Sequence, residues 1–214
     1  MRKLIFGKKY IQTADLNNSL FINNVAQTVT MNGTVTRTTD HKGGNTAIQF
    51  GSGNLVSVDN LPASPVWSVS FWVNYKNTST LTGLLNINDS ANSNNKLLYM
   101  SAHARATNRF AVGSTNSPNG NFNEKNILLP NGNTWYHVVV VFDRSIVGHT
   151  NEIKFYLDKV LTTSIASTGS TDQIGNFVSG KATIGSNTVG IATSPIKMFN
   201  YALTQTEIDN LYNE

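Results

Sequence analysis

From about residue 46 onward, apolar side chains recur at every second position, and clusters of Asn, Gly, Ser and Thr separate the runs. A period of two marks strands with one face buried, whereas a helix repeats near 3.6. The pattern predicts strands at residues 47–50, 55–58, 67–75, 81–87, 96–101, 109–112, 135–142, 153–157, 160–165, 181–184 and 196–199. Long helical crossovers are missing, so these strands must pair antiparallel, most economically as two sheets packed face to face. The predicted class is all-β.

Two strands say more. In residues 66–75, Trp67, Val69, Phe71, Val73 and Tyr75 fall on one face, with Ser68, Ser70, Trp72 and Asn74 on the other. Trp72 breaks the alternation, which predicts that its face is covered as well, by a loop or a second layer. Residues 135–142 are apolar on both faces, as an inner strand requires. His137 within that run is read as a structural residue whose ring bonds a neighbour.

One helix is predicted, at the C-terminus. Thr204 and Glu207 have capping-box spacing, Leu203 can staple onto Ile208, and Ile208, Leu211 and Tyr212 form an apolar stripe. It is expected to dock on the edge of the sandwich.

Composition narrows the class. Charged residues are 13% of the 214-residue chain, about half the usual share, and Asn and Thr fill the gap. The net charge of +4 is concentrated in Arg2, Lys3, Lys8 and Lys9. Beyond that basic segment no stripe of cations interleaved with aromatics appears, so a nucleic-acid groove is not predicted. No apolar run is long enough to span a membrane, and Leu4-Ile5-Phe6 is far shorter than a secretory h-region. With no cysteine, disulfides and thiol catalysis are excluded. The expected organisation is a basic tail over 1–12 and one domain over 13–214.

Polar segments at 88–95, 114–125, 131–133, 146–151 and 168–180 are predicted loops on the rims of the sandwich, where such folds present binding residues. Sugar recognition needs an aromatic platform with amides and charged groups around it. The candidate ligand contacts in loop-like positions are Tyr99, His103, Arg105, Asn119, Asn121, Phe122 and Asn123. Arg2, Lys3, Lys8 and Lys9 are the candidate anchor to an acidic partner.

The order of several short motifs resembles the laminin-G-like, concanavalin A-like jelly rolls. These are residues 33–35, 43–51 (Gly-Gly-Asn-Thr-Ala-Ile-Gln-Phe-Gly), 55–58, 69–73, 134–138 with Phe142-Asp143, the hairpin 153–161, 182–185, and 199–204 leading to Glu207-Ile208. The resemblance covers about residues 30–214 and implies a two-sheet antiparallel jelly-roll sandwich. Relatives often carry two acids before the last strand, one of which helps hold calcium; here Ser194 and Pro195 stand there, so no cofactor is expected. Relatives also read Asp-Gly in the hairpin turn, whereas Lys159 follows Asp158: either the turn is of another type or Lys159 accepts strain.

Some proteins of this general fold are glycoside hydrolases, whose strand carries acidic residues at alternate positions and so places an acid and a nucleophile on one face about 5 to 5.5 Å apart. Of Glu124, Glu152, Glu207 and Glu214 only Glu207 has an acidic residue two positions away, Asp209, and both fall in the predicted helix, where Glu207 serves the capping box; that leaves distant pairings such as Asp143 with Asp158. His41, His103, His137 and His149 form no metal-ligand spacing. Nucleophile elbows and phosphate-binding loops are absent. Two functions are expected. One is a non-enzymatic bacteriophage virion surface protein, a decoration, head fibre or tail adhesin, bound to other virion proteins as a homo-oligomer and to host glycans. The other is an extracellular lectin-like module or degenerate glycoside hydrolase.

Overall fold

The computed structural model describes residues 10–11, 20–22, 25–27, 29–32, 36–44, 47–50, 54–75, 82–89, 96–103, 109–115, 122–128, 132–145, 153–162, 166–168, 180–186, 191–194 and 196–214. The first strands are β1 (Tyr10–Ile11), β2 (Leu20–Ile22), β3 (Val25–Gln27), β4 (Val29–Asn32), β5 (Thr36–Thr38), β6 (Ala47–Phe50), β7 (Asn54–Leu61) and β8 (Val66–Tyr75). The middle of the chain forms β9 (Thr82–Asp89), β10 (Lys96–His103), β11 (Arg109–Thr115), β12 (Phe122–Leu128) and β13 (Trp135–Asp143). Then come β14 (Ile153–Leu157), β15 (Val160–Leu161), β16 (Ala166–Thr168), β17 (Gly180–Ser186), β18 (Ile191–Thr193), β19 (Lys197–Phe199) and helix α1 (Gln205–Asn213).

These strands form a jelly roll of two large antiparallel sheets. One has nine strands in the order β15-β14-β13-β8-β18-β6-β5, with β19 pairing β8 and β1 pairing β19. The other has eight, in the order β16-β12-β11-β10-β9-β17-β7-β4. Each predicted strand overlaps an observed one. The unpredicted β12 reads Phe-Asn-Glu-Lys-Asn-Ile-Leu and was expected to lie largely in a polar loop. Pairing with β11 on one side and β16 on the other satisfies its backbone, and that overrides its weak alternation.

The core follows the register of β8 on β13. Val138 lies opposite Phe71, Val140 opposite Val69 and Phe142 opposite Trp67, and all six are buried. Phe155 and Ile153 of β14 extend two of these rows. Residues facing each other across an antiparallel pair share a face, so these rows make one continuous apolar layer.

The second face of the same two strands is buried as well, as Trp72 predicted. Ser68 lies opposite Val141, Ser70 opposite Val139 and Trp72 opposite His137. The segment leading into α1 covers them. Ser68 Oγ donates to the Tyr201 carbonyl at 2.7 Å and accepts from Leu203 N–H at 3.2 Å. Val139, Val141, Phe199, Leu203 and Ile208 then form one cluster, with Leu211 and Tyr201 against it. The helix therefore docks on the outer face of the nine-stranded sheet and not on the sandwich edge, because small Ser68 and Ser70 leave room for the incoming chain and Ser68 supplies its hydrogen bonds. Its start is the predicted capping box: Thr204 N–H donates to Glu207 Oε2 at 2.8 Å, and Thr204 Oγ1 accepts from Glu207 N–H.

The hairpin between β14 and β15 turns on Asp158 and Lys159, with φ of 46° and 64°. Both residues are left-handed, the geometry of a type I′ turn, so Lys159 accepts the strain that glycine would avoid. Arg2, Lys3, Lys8 and Lys9 lie outside the described residues, whereas Tyr10 and Ile11 pair with Phe199 and Met198.

Candidate functional site

The structure gathers rings from four distant segments at one end of the outer face. The first segment is the turn at 40–44. Asp40 Oδ1 accepts the backbone N–H groups of Lys42 and Gly44, each at 2.9 Å, and Asp40 N–H donates to the Gly44 carbonyl. Gly43 takes a left-handed φ of 82°, and a Cβ on Gly44 would sit 2.7 Å from Asp40 Oδ2. That closed turn lays the imidazole of His41 flat on Trp72, with centroids 4.0 Å apart and planes 10° from parallel.

Trp72 is positioned by β8, whose ladder is broken beside it. On that side β8 pairs with β18 at residues 73–75 and with β19 at residues 68–70. Ser194 bridges the gap: its N–H donates to the Trp72 carbonyl, and its Oγ accepts from Trp72 N–H at 2.8 Å. The Ser194 side chain, at the position where relatives place an acid, thus completes a backbone ladder.

Across the ladder, His137 is 1% exposed. Its Nε2 shares a 3.0 Å hydrogen bond with Ser70 Oγ, the neighbour contact expected of a structural histidine. Its backbone N–H donates to Asp158 Oδ1 at 2.9 Å. Burial foremost, then the charges of His41 and Lys197, lowers the His137 pKa to about 4. Burial also lowers that of His41, with Asp40 partly opposing it.

Tyr212 of α1 closes the group, 5.1 Å from Trp72 and 5.7 Å from His137 between ring centroids. Lys159 Nζ stands 4.7 Å from the Tyr212 ring centroid. Trp135 meets His41 edge-on at 6.5 Å. His41, Trp72, Trp135 and Tyr212 are all half-buried residues, with Asp40, Lys42 and Lys159 beside them. Both ring nitrogens of His41, Trp72 Nε1 and His137 Nδ1 are buried without a hydrogen-bond partner. Apolar ring faces bordered by charges suit stacking on a flat ligand with polar edges.

The residues expected from sequence are distributed differently. Tyr99 and His103 lie in β10, and Phe122 and Asn123 in β12, so these four are strand residues and not loop residues. Tyr99 is opposite Gly113, which is opposite Glu124; Asn123 is opposite Ser114, and Phe122 opposite Thr115. His103 is opposite Arg109 at the other end of β11. Five residues of strand separate Arg109 from Ser114, about 17 Å. Arg105, Asn119 and Asn121 lie outside the described residues. The ring cluster was not foreseen, although Trp72 out of phase and the Asp-His-Lys-Gly-Gly turn were its signals.

Asp143 and Asp158 stand at opposite ends of β13. Asp143 ends that strand and accepts from Ser145 N–H, whereas Asp158 bonds His137 near its start. Six residues of strand are about 20 Å, well beyond the separation glycoside hydrolysis uses. Among the described residues no group of three or more His, Cys, Asp or Glu could hold a metal ion. No helix among them is long and apolar enough to cross a membrane.

A comparison with curated proteins finds no match. Solved structures match in fold. The binding domain of botulinum neurotoxin serotype C1 superposes with a TM-score of 0.71 at 16% identity, over 96% of this chain and 52% of that one. The serotype G binding domain gives 0.69 at 12%, over 95% and 50%. Another, the binding domain of botulinum neurotoxin DC in complex with SialylT, gives 0.68 at 16%, over 96% and 51%. The chain thus spans about half the length of each. The Laminin_G_3 profile of the concanavalin A-like lectin/glucanases superfamily matches residues 42–209, and with that match running from the Asp40 turn into α1, the chain belongs to this family.

Proposed function

We propose that this domain is a non-catalytic binding module that holds a glycan against the ring cluster of Trp72, His41 and Trp135. The observation that carries the reading is that cluster: packed rings on half-buried residues beside Asp40, Lys42 and Lys159. The separation of Asp143 from Asp158 supports binding over hydrolysis. One toxin binding domain of the same fold, that of botulinum neurotoxin DC, is described in complex with SialylT and also with rat synaptotagmin II, which supports a receptor-binding use of the scaffold.

A glycan array followed by titration of the best ligand tests the proposal. Trp135→Ala should weaken binding about two- to tenfold, since stacking on one aromatic ring contributes about 0.5–1.5 kcal/mol. Tyr99→Ala and Asn123→Ala mark the alternative surface on the other sheet. Binding lost in those variants and kept in Trp135→Ala would overturn the assignment, as would the absence of any glycan ligand.

We further place the module on a bacteriophage virion, as a homo-oligomer held to other virion proteins. A charge-poor, Asn- and Thr-rich sequence with cations gathered at Arg2, Lys3, Lys8 and Lys9 supports docking on an acidic shell. Mass spectrometry of purified particles tests this placement, and absence of the protein from them refutes it.

A further inference from the structure

We infer that the turn at residues 39–44 and the last turn of α1 form an acid-sensitive clasp over the outer face of the nine-stranded sheet, closed while His41 and His137 are neutral and opened when they take up protons. The inference concerns a moving part and stands whether or not the ring cluster holds a glycan.

The contacts that close the clasp join these two elements to the sheet and to each other. His41 stacks on Trp72, Tyr212 packs on Trp72 and His137, and Lys42 Nζ donates to the Asn213 carbonyl and to a main-chain oxygen of Glu214. Lys159 lies over Tyr212, and its carbonyl accepts from Gln205 Nε2. The apolar anchors Leu203 and Ile208 are buried nearer the start of the helix. The chain beyond Ile208 can therefore lift while those anchors stay seated.

Protonation meets one favourable charge here, that of Asp40 beside His41, which only partly offsets burial. The groups around the two imidazoles are Ser70 and Trp72 from β8, Asp40 and Lys42 from the turn, and Lys197 from β19. Asp158 and Lys159 come from the β14–β15 turn, and Tyr212 and Glu214 from the end of the chain. Asp40 Oδ1 accepts from its own turn, Asp158 Oδ1 from the His137 backbone, and Glu214 is paired with Lys197. Both His41 ring nitrogens and His137 Nδ1 have no partner at all. A proton on either ring adds a cation in a neighbourhood that holds Lys42, Lys159 and Lys197, with no carboxylate hydrogen-bonded to either ring. Opening the clasp hydrates the rings and returns them to ordinary basicity. For His137 alone, a pKa of about 4 when closed against 6.5 when open raises the opening constant by up to roughly 300-fold on acidification.

Hydrogen exchange on the full chain tests this, with rates corrected for their intrinsic pH dependence. Between pH 7 and 4.5, amides 209–213 should lose protection at least tenfold while amides 138–142 of β13 keep theirs. The fall should flatten in His137→Gln, which keeps a polar side chain beside Ser70 and cannot become a cation. Protection independent of pH, loss in β13 in step with the helix, or an unchanged fall in the variant would each overturn the clasp. Should the variant not fold, NMR titration of His137 in the native chain decides: a midpoint well below 6.5 supports it, and one at or above 6.5 refutes it.

Discussion

The imidazole of His41 lies 4.0 Å above the indole of Trp72, nearly parallel to it, and that single stack joins a glycine-closed turn to the outer face of a central strand. Stacked rings contribute about 0.5–1.5 kcal/mol beyond their buried area. His41→Ala should therefore lower stability by about 1–2 kcal/mol, and His41→Phe should recover most of it. Urea midpoints of the two variants at pH 7.5 check this, and equal loss in both would show that the ring does not act by stacking.

Stability should fall with acid through His137. Its folded pKa of about 4 is depressed below the ordinary 6.5, so the unfolded chain binds more protons between these values. The contribution is complete above pH 6.5, declines as pH drops towards 4, and changes no further below that. Its ceiling is about 3 kcal/mol at 1.36 kcal/mol per unit, less whatever local opening relieves. Denaturant titrations at pH 7.5 and 4.5 should show the loss in the native chain and a smaller one in His137→Gln.

Lys159 combines a cost with a gain. A left-handed lysine costs about 1 kcal/mol, and its ammonium over Tyr212 returns about 0.5–1 kcal/mol. Lys159→Gly removes both and should change stability by less than about 0.5 kcal/mol. Lys159→Val removes the cation and worsens the backbone fit, so it should destabilise by more than about 1 kcal/mol in thermal melts.

Ser68→Ala tests how the outer face is covered. It removes the acceptor of the Leu203 N–H and the donor to the Tyr201 carbonyl, both beneath the chain that leads into α1. Leaving those groups unpaired should cost about 1–3 kcal/mol. The readout is thermal stability together with protease nicking near residues 200–204, and a variant indistinguishable from native would refute the role.

The N-terminal boundary is also open to test. Deleting residues 1–9 removes all four clustered cations and spares the Tyr10–Ile11 pairing with β19; deleting 1–12 removes both. Particle association should disappear in either truncation, while a drop in melting temperature should accompany only the longer one. Association retained without residues 1–9 would refute anchoring by those cations.

Much of this molecule is written in local periodicity. The alternation in residues 67–75 set the buried face of β8, the unbroken apolar run at 135–142 marked β13 as interior, and Thr204 with Glu207 announced α1 and its cap. These readings hold because pleat and helical repeat fix which side chains share a face, and capping acts within one turn. Polar β12 escaped notice because its strand state comes from neighbours on both sides and not from its own side chains. The same reason hid the outer-face assembly. Sequence showed that Trp72 was out of phase and that something must cover it; which residues did so depended on strands 8 and 13 placing His137 opposite it, on Ser194 patching the ladder, and on the Asp40 turn and α1 arriving from opposite ends of the chain. Contacts of that range follow from chain return and sheet register, which no window of sequence contains, and they decided where the rings meet.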